Sequence, residues 1–162
     1  MKALKNLILE YFEDTFLLGL CTATIKGEPW ASSVYFAFDQ VLNLYFISKL
    51  SRRHSQELVD NPLVAGIICK SHAHPFRMPC RGLQLEGRIL RLDDTQLASA
   101  GLELYMKRFP DSRRFHKSMA DVTGNAERRV FLFKPARIVL FDEENFPECP
   151  QQEYTAEKAQ YE

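Results

Sequence analysis

Neither sign of charge is in excess in this chain: 21 lysines and arginines face 21 aspartates and glutamates in 162 residues. Without a net field there is no general attraction to DNA or to an anionic membrane, so nucleic-acid binding is not expected and any anion site must be local. Apolar runs long enough to span a bilayer are missing too, and Met1-Lys-Ala-Leu-Lys5 lacks the apolar core and cleavage site of a signal peptide. The expectation is a cytoplasmic protein with no membrane association. Cysteine is scarce: Cys21, Cys69, Cys80 and Cys149 are too few and too irregularly spaced for a disulfide framework. Cys69, His72, His74 and Cys80 offer zinc-type donors, but their spacing matches no common finger and Pro75 and Pro79 mark a turn-rich loop, so no metal site is expected. No Gly-x-Gly-x-x-Gly follows a strand, no Ser-His-Asp or Cys-His arrangement can be assigned, no paired carboxylates stand out, and no internal repeat is visible.

What is present is apolar material, 46% of the chain, enough for one compact core. Leu4, Leu7, Ile8, Tyr11 and Phe12 share a helical face, so the chain is expected to open with a helix. Residues 16–25 and 30–38 read as strands around the turn Lys26-Gly27-Glu28-Pro29, and residues 44–48 as a third strand. Ser51 is placed to start a short helix that Asn61-Pro62 ends. Strand character resumes at 63–69 and again from Leu83, where a change of apolar phase after Ile89 suggests a bulge or bend. Asp93 and Gln96 have capping-box spacing ahead of a helix that Pro110 stops. Residues 130–133 and 137–141 read as the last strands, broken by Lys134-Pro135-Ala136. Residues 1–145 are expected to form one domain, and the polar stretch 146–162 a tail. About six strands with short connections argue for an α+β fold, an antiparallel six-stranded barrel with flanking helices.

Chemistry concentrates where the third strand meets its helix, in Tyr45-Phe-Ile-Ser-Lys-Leu-Ser-Arg-Arg-His-Ser-Gln-Glu-Leu58. Free amides, the positive end of a helix dipole and guanidinium groups together make an anion site fit for phosphate. The same residues read equally well as a helix cap and a solvated basic face. Arg81, Arg108 and Trp30 read by default as solvated or packing residues.

Ser32-Ser-Val-Tyr-Phe-Ala-Phe-Asp39, Leu44-Tyr-Phe-Ile-Ser48 and Ser51-Arg-Arg-His-Ser-Gln-Glu-Leu58 with Asn61-Pro-Leu-Val-Ala65 resemble the core of the pyridoxamine 5′-phosphate oxidase-like, FMN-binding split barrels. Arg81-Gly-Leu-Gln-Leu-Glu-Gly87 and Tyr105-Met-Lys-Arg-Phe-Pro110 are similar to an uncharacterised YhbP-like branch, and the resemblance covers roughly residues 5 to 145. It implies an FMN-binding flavoprotein, an oxidoreductase acting on a small molecule, assembled as a homodimer with cofactor sites at the subunit interface. Arg52, Arg53 and His54 match the family's phosphate cluster, with Ser51 beside them. Ile47 and Ser48 match cofactor-contacting positions, Ser32, Ser33, Val34 and Tyr35 match the strand under the flavin ring, and Gln84 would reach in from the partner subunit. His54 stands in the place of a lysine, which makes its charge pH-dependent. Ser32 stands where the vitamin-making oxidases carry a phosphate-binding arginine, so oxidation of pyridoxamine phosphate is not implied. A non-catalytic flavin carrier or a haem-binding split barrel is the competing class.

Overall fold

The computed structural model describes residues 3–69, 80–93 and 95–155. Helix α1, Leu4–Asp14, buries Leu7, Ile8, Tyr11 and Phe12, the face its spacing predicts. Eight strands follow: β1 Leu17–Ala23, β2 Pro29–Tyr35, β3 Ala37–Phe38, β4 Leu44–Lys49, β5 Leu63–Cys69, β6 Arg81–Leu92, β7 Arg128–Asp142 and β8 Gln151–Thr155. They form one antiparallel sheet in the order β2-β1-β5-β6-β7-β4-β3, with β8 also on β7. Helix α2, Arg53–Asp60, follows β4, and α3, Thr95–Arg108, follows β6.

The sheet curls around a core built from Leu18, Leu20, Phe36, Phe46, Leu83, Phe131 and Phe133, with α1 packed against it. A second cluster, with Leu92, Ala98, Leu102, Val130 and Leu132, lies under α3 on the opposite face of β4 and β7. The fold is a half-open antiparallel barrel with three flanking helices, as the sequence predicts.

Strand count and boundaries differ from the reading in three places. Two short strands raise the number from six to eight: Ala37–Phe38 splits from β2, and Gln151–Thr155 pairs with β7 through backbone bonds that its polar side chains do not reveal. β7 also runs unbroken through Pro135. Its outer partner changes there, from β4 up to Phe133 to β8 from Arg137, so the missing proline N–H costs no bond to either. Third, the bulge lies at Glu86/Gly87, opposite Ala136, rather than after Ile89. A Cβ on Gly87 would sit 2.2 Å from the Lys134 carbonyl oxygen, so only glycine tolerates this approach. The phase change after Ile89 has another cause: Leu92 turns to the opposite face, where α3 covers it.

Candidate functional site

β4 leads its alternate residues Leu44, Phe46 and Ser48 into the core and ends at a turn before α2. The helix is capped by Arg52 in extended conformation, with no side-chain cap, so Ser51 is not the N-cap that its position suggested. Amides of the first turn of α2 are thereby left for an external acceptor. Ser51, Arg52, Arg53 and His54 join Ile47 and Ser48 of β4, Trp30, Ser32, Ser33, Val34 and Tyr35 of β2, and Tyr105 of α3 around one cavity of about 530 Å³. Ten of the eleven residues singled out from the sequence line it. Gln84 is the exception: it lies exposed on β6, opposite Ile67 of β5.

The cavity runs along β2 and its two ends differ. At one end the Arg53 guanidinium lies 4.5 Å over the Trp30 ring and donates through Nε to Glu57 Oε1 at 2.8 Å. Glu57 is buried and also accepts a 2.5 Å bond from the Thr22 hydroxyl. Burial works against its charge, yet the Thr22 bond and the Arg53 bond and charge outweigh it and hold the carboxyl below its ordinary value. At the other end, roughly 17 Å of strand away, the Tyr35 and Tyr105 rings both meet Phe109, at 5.6 and 4.9 Å. Burial first, and Tyr35 second, push the Tyr105 hydroxyl up to about 12, so it stays a neutral donor. Between the ends, Ser32 Oγ is buried with no hydrogen-bond partner among the described residues.

His54 is buried against Phe46, and its Nε2 shares a 2.8 Å hydrogen bond with Ser48 Oγ. Burial, then Arg52, lower its pKa, against an opposing pull from Glu57. His54 is therefore neutral near pH 7 in the free chain, and the charge at this end comes from Arg52 and Arg53. His116, buried beside Tyr105, is lowered likewise by burial and Arg128, with Asp121 opposing. An unfolded histidine takes up a proton near pH 6.5, before either buried one does. The sign follows: the two histidines contribute stability above about pH 6.5 that is lost as pH falls through that value toward their folded pKa. Urea denaturation between about pH 7.5 and 5.5, above the carboxylate range, is expected to show falling stability with a shallower slope in His54→Gln. An equal slope in the variant would show that His54 is not held neutral.

Four residues in or beside the cavity carry no functional signal in the sequence. Glu57 and Thr22 are joined across 35 residues, although the Arg53/Glu57 spacing of four was visible. Tyr105 lay on an apolar helix face and gave no polar signal. Trp30, read as packing, is 42% exposed beneath Arg53. His72 and His74 lie outside the described residues, and among those described no group of three or more His, Cys, Asp or Glu could hold a metal. Likewise, no described helix is long and apolar enough to cross a membrane.

A curled antiparallel half-barrel with a cavity at its open β2–β4 edge defines a split-barrel protein. The chain belongs to the pyridoxamine 5′-phosphate oxidase family, whose sequence model matches residues 4–141. It is 30% identical over 115 residues to a UPF0306 protein of Photorhabdus laumondii, across 69% of this chain and 78% of that one. Among solved structures, a haem-binding protein from Mycobacterium smegmatis superposes with a TM-score of 0.73 at 15% identity, covering 96% of this chain. This chain spans 60% of that protein's length. A Clostridium acetobutylicum protein of the pyridoxine phosphate oxidase family, related to general stress protein 26, gives 0.66 at 14% identity, with 93% of each chain covered.

Proposed function

We propose that the chain binds FMN in this cavity and acts as a flavin-dependent oxidoreductase on a small molecule. The observation that carries the reading is the two-ended cavity, with an arginine-bearing helix start at one end and an aromatic wall at the other. Its volume lies within the roughly 300–1,000 Å³ of cofactor pockets. The residues fit the group: Arg52, Arg53, Ser51 and the amides of α2 suit the phosphate, and the orphaned Ser32 hydroxyl on β2 suits a polar edge of the ring system. Bound flavin would supply hydride and electron transfer. The chain's own part is to hold the phosphate, orient the ring along β2 and keep Tyr105 protonated beside it. No acid-base pair is needed for that role, in keeping with the absence of one in the sequence.

The assembly proposed is a homodimer with its two sites at the interface. Leu17, Tyr35, Leu63 and Ile67 are each about half or more exposed on the outer face of β2-β1-β5. Ser33, Gly19, Ile67 and Gln84 form one cross-strand row on that face. A second copy covering it would bring its own Gln84 toward a cavity edge that already holds Ser33. A monomer by light scattering would remove this contact.

Haem is the second reading, supported by a neutral cavity imidazole of the type that ligates haem iron. Against it, Nε2 of His54 is engaged by Ser48. Purified protein is expected to show flavin absorbance, or to acquire it with added FMN. A Soret band, or no affinity for FMN, would overturn the flavin reading. NADH or NADPH bleaching of the bound flavin separates an enzyme from a carrier. Arg53→Ala is expected to weaken FMN by about 1.5–3 kcal/mol through loss of a charge-assisted phosphate contact. An unchanged Kd would reject that contact.

A further inference from the structure

We infer that Glu57, held by Thr22, is a positioning residue that turns Arg53 into a fixed fork for the ligand's phosphate. The inference rests on the flavin reading above and assigns a role to residues outside the cavity wall. Arg53 is half-exposed, and an arginine in that setting ordinarily samples many rotamers. Here three contacts define its place: Nε on Glu57, the guanidinium face on Trp30, and its backbone in the first turn of α2. Among the described residues the Arg53 side chain donates only through Nε, so the two terminal Nη groups remain as a planar pair suited to two phosphate oxygens.

The carboxylate is not a surface partner met by chance. Glu57 is 9% exposed and accepts from two elements at once: β1 through Thr22, and its own helix through Arg53. An acidic residue buried beside an anion site opposes the anion by its charge, so a role there has to come through geometry. Holding the arginine's Nε is such a role, because it leaves the Nη edge free and removes the entropy cost of ordering the side chain on binding.

The test is the ratio of FMN to riboflavin affinity, which isolates the phosphate. Glu57→Ala is expected to lower that ratio by about tenfold, the scale of one charge-assisted hydrogen bond, with little change in riboflavin binding. Glu57→Gln keeps an oxygen for Arg53 and an amide for Thr22 while losing the opposing charge, and is expected to hold the ratio at or above wild type. The double variant Glu57→Ala/Arg53→Ala is expected to fall no lower than Arg53→Ala alone, since Glu57 acts only through Arg53. A folded Glu57→Ala protein with an unchanged ratio overturns the inference, as do additive losses in the double variant. If Glu57→Ala does not fold, Glu57→Gln and Thr22→Val decide it: a Gln variant with a lowered ratio, or a Val variant with an unaltered one, rejects it. Wild-type protein that binds neither flavin fails the proposed function instead, so the two failures are distinct.

Discussion

Replacing Arg108 by alanine is expected to cost about 3–5 kcal/mol of folding stability, measured by urea denaturation. This arginine ends α3, yet its side chain is only 10% exposed. It donates to the Phe12 and Thr15 carbonyl oxygens, the latter at 2.6 Å, with a longer contact to the Glu13 carbonyl. Those carbonyls close α1, whose last turn has no intrahelical donors for them. The guanidinium also lies 4.8 to 5.9 Å from the rings of Phe16, Phe36, Phe38 and Phe109. Alanine would leave several carbonyls without donors and a void among four rings, two losses that act together. Arg108→Lys supplies one compact charge that cannot span the carbonyls, and it is expected to recover less than half of the loss. A loss under about 1 kcal/mol in Arg108→Ala, the scale of a surface ion pair, would show that the arginine is only a surface cation. The consequence reaches the cavity, because neighbouring Phe109 backs both Tyr35 and Tyr105.

Arg108 also shows where sequence reading stops. A basic residue at a helix end reads as solvated, and its partners lie 93 to 96 residues away, beyond any local pattern. A separation of 35 residues likewise hides the Thr22–Glu57 bond. What was legible depended on short-range regularities: the apolar face of α1, the alternation of β4, and the basic segment that follows it. Those regularities left the basic segment undecided between an anion site and a solvated face. Its order among the strands, through the family resemblance, is what singled out β2 as the facing wall, and the fold does bring β2 and the start of α2 to one cavity. Charge was the least legible property. His54 reads as a titrating stand-in for lysine, but burial behind Ser48 leaves it neutral, and Arg53 shares its charge with a carboxylate from the next helical turn.

Asp142→Ala is expected to cost about 2–4 kcal/mol, the second largest effect, because it removes one partner of a buried charged network. Asp142 is fully buried at the end of β7 and accepts from the amides of Glu144 and Asn145 at 3.0 and 2.9 Å and from Asn145 Nδ2 at 2.6 Å. Arg81 pairs with it at 3.3 Å, reaches Glu144 at 2.7 Å, and covers the Tyr11 ring of α1. Arg81, which reads from sequence as a solvated strand-edge residue, is thus a tie between β6, the β7–β8 turn and α1. Asp142→Asn keeps an oxygen for the turn amides, its new amide group can donate to the oxygen of a flipped Asn145 side chain in place of the Asn145 Nδ2 bond, and the charge it loses faces Arg81, which is 30% exposed and partly hydrated, so it is expected to cost less than half as much. Equal losses in the two variants would place the whole effect in the ion pair. Because Asp142 N–H also bonds the Pro150 carbonyl that leads into β8, hydrogen exchange of residues 151–155 is expected to accelerate in the alanine variant. The cavity is built from β2, β4, α2 and Tyr105, none of which this network touches. The FMN-to-riboflavin preference is therefore expected to survive in Asp142→Ala while it falls in Glu57→Ala, which separates a residue that holds the barrel from one that aims the arginine.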